Sequence, residues 1–532
     1  MVNMEKRPNV KLTLDQGYAV QQDLQADCSS VELAKILHVK KAYLLRRSVD
    51  ARRKNDVHFI ATVGIGDGAC APQAIQPLRE RETPDPHLGN SRPTVVGMGP
   101  AGLFAALELA EAGLCPIVIE RGAPVEERAA DIDLYHRTRV LNTRSNVQFG
   151  EGGAGTFSDG KLTTGKNSPL IAGVLRTFVA AGAPQEILWQ AKPHIGTDVL
   201  GGVVADIRRR IIACGGDVRF HTQLTDLVIE RGSLTGVVVE GPDGASEQLP
   251  VGRLVLAVGH SARDTFEVLK RCSLELEQKP FSIGVRIEHS QQRINEAQYG
   301  RAASHPALGA ADYKLTPPKI SSGRAVYSFC MCPGGEVVAA SSEEGELCVN
   351  GMSRQARAGR NANAALLCNV VPEDFSDPSD PLSGIAFQRS WERAAFELGG
   401  SSWRAPLQTL GSFLDRSCRK GTDLEPTYPL GVEEAPISSC LPGFASQALR
   451  EAIPFFDRRI KGYGDARALL TGVEARSSSP VRVVRDKASL QATRVMGLYP
   501  CGEGAGYAGG IMSAAVDGIR VARQIIGDAA SQ

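Results

Sequence analysis

The run Gly97-Met98-Gly99-Pro100-Ala101-Gly102 constrains this chain more than any other feature. It lies between an apolar triplet, Thr94-Val95-Val96, and an Ala- and Leu-rich stretch from about Ala101 to Ala112. A strand that passes through such a run into a helix must turn sharply. The first glycine permits the turn, the second lets the backbone approach a pyrophosphate, and the third lets helix and strand pack closely. The helix N-terminus then offers N–H groups and the positive end of its dipole to phosphate. Gly113 fits the helix C-terminus, Ile117-Val118-Ile119 reads as the next strand, and Glu120 ends it with Arg121 beside it. A carboxylate at that place can accept hydrogen bonds from an adenosine ribose. This βαβ unit predicts a Rossmann-like α/β domain that binds a dinucleotide through Gly97, Gly99, Pro100, Ala101, Gly102, Glu120 and Arg121.

Distant segments decide which dinucleotide. Leu254 to Ala257 is an apolar strand running through Val258 into Gly259, and Gly497 to Pro500 is another that ends in Gly502-Glu503. A glycine-rich turn and a helix from about Ile511 to Ile526 follow. Glu503 can hold a ribityl hydroxyl or a nearby backbone amide. The helix N-terminus at Gly509, Gly510 and Ile511 can face the N1/O2 edge of a flavin, where reduction places negative charge. A third small-residue run, Phe149 to Lys161, contains Gly152, Gly153, Ala154, Gly155 and Thr156, which allow close backbone approach, and Ser158 and Lys161, which add polar contacts. The triple pattern resembles the flavoprotein fold of the glutathione-reductase type, in which FAD lies extended.

Composition sets the outer limits. A chain of 532 residues exceeds one typical domain. The expected division is an N-terminal α/β domain over 1–78, a linker over 79–93 within the proline-rich stretch Pro72–Pro93, a first FAD-binding part over 94–280, an α+β substrate or cap domain over 281–480, and a second FAD-binding part over 481–532. The 60 Lys and Arg nearly cancel the 59 Asp and Glu, which argues against nucleic acid or an anionic membrane as main partner. The twelve cysteines form no repeated C-x-x-C pair, as expected of a reduced, cytoplasmic protein, with a plastid or mitochondrion left open. Neither a secretory signal nor an apolar run long enough for a membrane span is evident. No metal site is expected.

Within these zones, Val31–Val39 reads as a helix, and Ala42–Leu45 and Val57–Val63 as strands. Leu200–Cys214 reads as a helix capped by Thr197 or Asp198. Ala325–Cys332 and Glu336–Ala340 read as a hairpin about Pro333-Gly334-Gly335, Arg357–Leu367 as a helix, and Ile283–Ile287 as an alternating strand on which Arg286 and Glu288 share a face and can pair.

The stretches Gly97–Gly102, Gly150–Lys161, His194–Asp198, Phe329–Gly335, Asn350–Ser353, Ser477–Arg485 and Gly502–Asp517 resemble a family of uncharacterised FAD-dependent dehydrogenases, and Arg47–Arg53 resembles its N-terminal domain. Ala475 departs from that family, whose members often carry threonine there, and the departure bears only on a hydroxyl contact at that position. The resemblance implies an FAD-binding fold, an N-terminal α/β cap and a family-specific C-terminal domain, and it implies no substrate.

Candidates for chemistry are fewer. His194 is a candidate proton donor near the flavin, and Arg476 and Arg482 are candidates to hold an anionic substrate or the FAD phosphates. Cys330 and Cys332, at i and i+2 on a strand, stand about 7 Å apart, too far for an unstrained disulfide. They read as small apolar groups near the cavity rather than as a flavin-coupled dithiol. The first functional expectation is an oxidoreductase moving electrons or hydride between FAD and an unidentified organic small molecule, with NAD(P)H as a transient donor or an electron-donor protein as partner. The alternatives are a non-catalytic, flavin-bearing redox-sensing or binding protein, and a flavin monooxygenase.

Overall fold

The computed structural model describes residues 4–25, 27–66, 92–157, 160–165, 167–317, 320–415 and 424–530. Its central element is a five-stranded parallel sheet in the order Leu498–Pro500, Leu254–Leu256, Thr94–Val96, Ile117–Ile119, Asp217–Arg219. The first four strands are short, apolar and mostly buried, as expected of parallel strands covered on both faces. A three-stranded antiparallel meander over Gln223–Glu230, Ser233–Glu240 and Ser246–Pro250 is inserted between Asp217–Arg219 and Leu254–Leu256.

The helix Pro100–Glu111 leaves the strand Thr94–Val96, and the C-terminal helix Ile511–Ala530 lies along that helix. Small residues make that contact close: a Cβ on Gly518 would stand 2.1 Å from the Ala101 carbonyl oxygen, and one on Gly502 would stand 2.7 Å from Ala101 Cβ. Segments four hundred residues apart therefore meet at one strand–helix corner.

A second sheet of six strands runs Val326–Cys332, Asn361–Val370, Phe281–Ser290, Leu469–Glu474, Ala405–Thr409, Val432–Glu434. The helices Ser383–Leu398 and Gly443–Arg459 pack with it in one apolar core. Two expectations fail here. Arg357–Leu367 is not a helix, because Asn361–Val370 is a strand paired on both sides, with nearly every residue buried. Its Ala and Leu content favours helix locally, and the sheet environment overrides that preference. The expected hairpin also does not form. Val326–Cys332 pairs with Asn361–Val370, while Glu336–Ala339 pairs with Val349–Met352 in a separate two-stranded sheet. A register shift between Phe329 and Cys332, with Cys330 at φ +41°, bulges this strand just before the turn, and Cys332 still pairs with Asn363.

The N-terminal segment forms an antiparallel sheet, Glu5–Leu12, His58–Ile65, Ala42–Asp50, with helices Leu14–Asp23 and Val31–Ile36. The second helix is shorter than its sequence suggests and starts at the Ser30 cap, whose hydroxyl accepts from Leu33 N. Arg47 joins this unit to the rest. Its guanidinium lies between the Phe59 and Trp189 rings, 4.4 and 4.7 Å from their centroids, and donates to Gly17 O and Gln21 Oε1. Most of the Pro72–Pro93 stretch lies outside the described residues. No helix among the described residues is long and apolar enough to cross a membrane.

Candidate functional site

The glycine turn has the geometry its residue types demand. Gly97 adopts φ +95°, and a Cβ there would lie 2.4 Å from Ala257 O. A Cβ on Gly102 would lie 1.8 Å from Gly97 O, so the third glycine serves helix–strand contact. Glu120 takes a role the sequence does not suggest. Its Oε2 accepts from Met98 N at 2.8 Å, and its Oε1 accepts from Gly122 N at 2.9 Å and Gly150 N at 3.1 Å. A single buried carboxylate thus ties the glycine turn to the second glycine-rich loop by charge-assisted bonds.

Arg128 shapes that second loop. It lies on the helix Val125–Thr138, is fully buried, and donates to the carbonyls of Asn146, Val147, Glu151 and Gly153 at 2.6–3.0 Å. The loop is thereby pressed on the turn, so that a Cβ on Gly153 would stand 2.9 Å from Gly99 Cα.

A cavity of about 720 Å³ opens over these turns and reaches the second sheet. On the parallel-sheet side it is lined by Gly97, Gly99, Pro100, Ala101, Glu120, Arg121, Gly153, Ala154, Gly155, Lys161, Gly259, Glu503, Gly509, Gly510 and Ile511. The N-termini of both helices open into it. The far wall includes Phe329, Cys330, Asn350, Glu474, Arg476 and Ser477. Two glycines of its turns, Gly99 and Gly509, have no reason within the protein itself. Gly99 has extended backbone, and a Cβ there would meet only Gly153 Cα at 3.7 Å; a Cβ on Gly509 would meet nothing within 4 Å. Both leave room for an occupant.

Other candidates lie behind the wall. Gly152 is needed because a Cβ would lie 2.0 Å from Thr156 Oγ1, and Thr156 is buried, its carbonyl accepting from Thr197 Oγ1 at 2.8 Å. Gly102 and Gly502 are packing residues of the helix corner. His194 Nε2 contacts Gln355 O at 3.2 Å, away from the cavity lining. Ser158 lies outside the described residues. Thr197 and Asp198 do not cap the helix Thr197–Ala213; Gly196 stands at its N-cap, and Asp198 Oδ1 accepts from Gln355 N instead.

The two cysteines do not share a strand face, and the arginines depart from expectation. The bulge breaks strand alternation, so Cys330 lines the cavity while Cys332 is buried, its Sγ donating to Cys330 O; no disulfide joins them. Arg476 lines the cavity but is committed to Glu392, with bonds of 2.8 and 2.7 Å to its two oxygens. Arg482 faces Glu277 at 3.5 Å on the surface. Arg286 does not pair with Glu288. It faces Glu474 across the sheet at 2.5 Å, while Glu288 accepts from Thr427 Oγ1 and Asn361 Nδ2. Sequence reasoning missed Arg128, Glu474 and His260. For Glu474 the only available signal was a charge at the end of an apolar stretch, and Arg128 is hidden among the other charges of its helix. His260 follows Gly259 on the cavity wall, and burial together with nearby Arg476 and Arg263 pushes it down to about 3, which keeps it neutral.

Comparison with known proteins fits this geometry. Residues 280–477 match the family model "FAD-dependent protein, C-terminal domain-like". An uncharacterized protein of Clostridium beijerinckii (strain ATCC 51743 / NCIMB 8052) is 46% identical over 531 residues, covering 97% of this chain and 98% of its own. Among solved structures, a flavin-dependent brominase is 13% identical with TM-score 0.37, covering 83% of this chain and 80% of its own. Glycine oxidase from Bacillus cereus ATCC 14579 is 11% identical with TM-score 0.36, covering 82% and 94%. Both are too distant to argue from. The near-complete match to the clostridial protein, together with the matching family model over the second sheet, makes this chain a member of a family of FAD-dependent proteins, with FAD as its cofactor.

Proposed function

We propose that the protein is an oxidoreductase that moves electrons between FAD, held extended as in the glutathione-reductase type, and an organic small molecule bound between the parallel sheet and the six-stranded sheet. The single observation that carries this reading is the convergence of Gly97–Ala101, Gly153–Gly155, Gly259 and Gly509–Ile511 on one cavity whose other wall is a separate sheet bearing charged and thiol side chains. The residues fit the cofactor, because Gly99 and Gly509 leave space that nothing in the protein fills. When bound, FAD supplies two-electron chemistry that side chains lack.

The chain's own residues bind and orient. Amides at the start of Pro100–Glu111 suit the pyrophosphate, and those at Gly510 and Ile511 suit the negative charge of a reduced ring. Glu503 Oε2 accepts from Gly510 N at 3.3 Å and steadies that turn. Glu120 reaches the ribose only with acceptor capacity left over from its three amides. The division into residues 1–78, 94–280 with 481–532, and 281–480 is part of the same proposal, as is a reducing, cytoplasmic setting for a chain whose twelve cysteines lack paired spacing.

Purified protein is expected to be yellow and to release FAD on denaturation, identified by mass. Anaerobic mixing with NADPH, NADH or a reduced ferredoxin, read by loss of flavin absorbance, then identifies the donor. A preparation that stays colourless after incubation with FAD overturns the reading.

A further inference from the structure

We propose that Glu474 is the catalytic acid–base of this cavity, exchanging a proton with the bound substrate, and that Arg286 is the residue that positions it. The inference rests on the oxidoreductase reading above and adds the group that handles the proton.

The other carboxylates of the cavity wall have partners elsewhere. Glu120 is held by three backbone amides. Glu503 accepts from Gly510 N, and Asp312 pairs with Lys192, which is largely exposed. His260 is kept neutral by burial and its two guanidinium neighbours. His194 stands outside the wall. Glu474 ends the strand Leu469–Glu474, is 3% exposed, and borders the cavity beside Arg476 and Ser477, with Arg286 as its ion-pair partner.

Its partner is fixed rather than mobile. Arg286 is fully buried and donates Nη1 to Cys330 O at 2.9 Å and to Asn363 Oδ1 at 3.1 Å, and Nη2 to Asn350 Oδ1 and to Glu474 Oε1 at 3.2 Å. The bulge at Cys330 delivers the first of these acceptors, which gives that irregularity a purpose. A guanidinium gripped from both neighbouring strands holds the carboxyl group in one orientation.

Charge balance makes proton transfer possible there. Burial raises the Glu474 carboxyl to about 7, against the pull of Arg286. The other ionisable groups that face it are Cys330, Tyr327 and Cys348. A group that titrates near neutral pH is an effective general base and acid. In the oxidative direction the substrate's C–H bond and its neighbouring O–H or N–H bond break, and a C=O or C=N bond forms. FAD, when bound, would serve as the oxidant that takes the carbon-bound hydrogen with its two electrons. The remaining proton forms a new O–H bond on the Glu474 carboxylate. The reductive direction reverses each step.

The test needs no substrate. The midpoint potential of bound FAD is measured against pH in the wild-type holoprotein, Glu474→Gln and Glu474→Asp, using dithionite with a mediator dye. Infrared difference spectra of the same samples follow the carboxylic-acid band. The wild-type potential is expected to bend near pH 7, with the acid band vanishing over the same range. Both features are lost in Glu474→Gln and restored, at shifted pH, in Glu474→Asp. A buried carboxyl with a purely structural role would lose its infrared band without altering the potential. Glu474→Gln that keeps its FAD and its bend overturns the inference and leaves the oxidoreductase reading standing. If Glu474→Gln does not fold, Glu474→Asp decides: an unshifted bend overturns the inference. Wild-type protein that takes up no FAD removes both.

Discussion

Gly99→Ala is expected to fold as the wild type does and to lose FAD, whereas Gly102→Ala, three residues on, is expected to damage the fold itself. The two glycines belong to one motif but answer to different neighbours. At Gly99 the backbone is extended, and the added methyl would make ordinary contact with Gly153 Cα at 3.7 Å. Apoprotein stability should therefore change by less than about 0.5 kcal/mol. The same methyl occupies the space over which the pyrophosphate must approach the amides of the helix N-terminus. FAD binding should weaken at least about a hundredfold, equivalent to ~3 kcal/mol, and the stabilisation that FAD confers on the wild type should fall with it. At Gly102 the methyl would stand 1.8 Å from the Gly97 carbonyl oxygen, a backbone atom with no freedom to swing aside. Strand and helix must separate, at a cost of about 3 kcal/mol or more. Thermal unfolding of apo and FAD-loaded samples, with a fluorescence titration of FAD, separates the cases. Equal destabilisation of the two apoproteins would show that both glycines serve packing alone.

That contrast also explains what the sequence made legible. The parallel sheet was readable because its strands are short apolar runs ending in glycine, and each glycine there has a local steric cause, such as φ +95° at Gly97 and φ +76° at Gly259. The meeting of Gly97–Gly102 with Gly502–Ile511 was readable because two helix starts of the same composition imply one ligand. The second sheet was not. Asn361–Val370 carries Ala and Leu on both faces, and only its central place between two partner strands decides for strand over helix. Glu336–Ala339 leaves the expected hairpin for a partner thirteen residues later, Val349–Met352, a choice that turn chemistry does not encode. The charged part of the site was hidden for the same reason. Arg286 and Glu474 are 188 residues apart, and Arg286 looks like a natural partner for Glu288 until the register is known.

Arg263→Met is expected to be the most destabilising single change at the contact between the two sheets. Arg263 lies on the helix Arg263–Arg271, which follows the FAD-fold strand Leu254–Leu256, and its side chain is 1% exposed. It donates to Glu392 at 2.8 and 2.9 Å, to Glu346 at 2.9 Å, to Gln388 at 3.2 Å, and also to Glu343. Oxygens of those three glutamates lie within 4.8 Å of one another, a spacing that would suit a metal ion, but the guanidinium is the cation they share. Methionine fills much of the volume and leaves the carboxylates with only Arg476, Arg389 and Arg393. Breaking a buried network by removing one partner costs about 3–5 kcal/mol, or a fall in melting temperature of roughly 6–10 °C. Arg393→Met, which removes a mostly exposed partner of Glu346, should cost less than about 1 kcal/mol. The pH dependence fixes the cause. In the wild type the two guanidiniums hold Glu392 at about 2, so its contribution is complete above the ordinary glutamate value of 4.5 and is lost only as the pH falls below that. In the variant the three carboxyls lose a cation and rise. A carboxyl raised in the folded state favours folding at low pH and loses that advantage as pH rises through its folded value. The gap between wild type and variant should therefore be widest above neutrality and narrow steadily toward pH 4.5, as read by denaturant midpoints across that range. A gap that is constant with pH would assign the loss to packing and remove the ion network as the force that joins the two sheets.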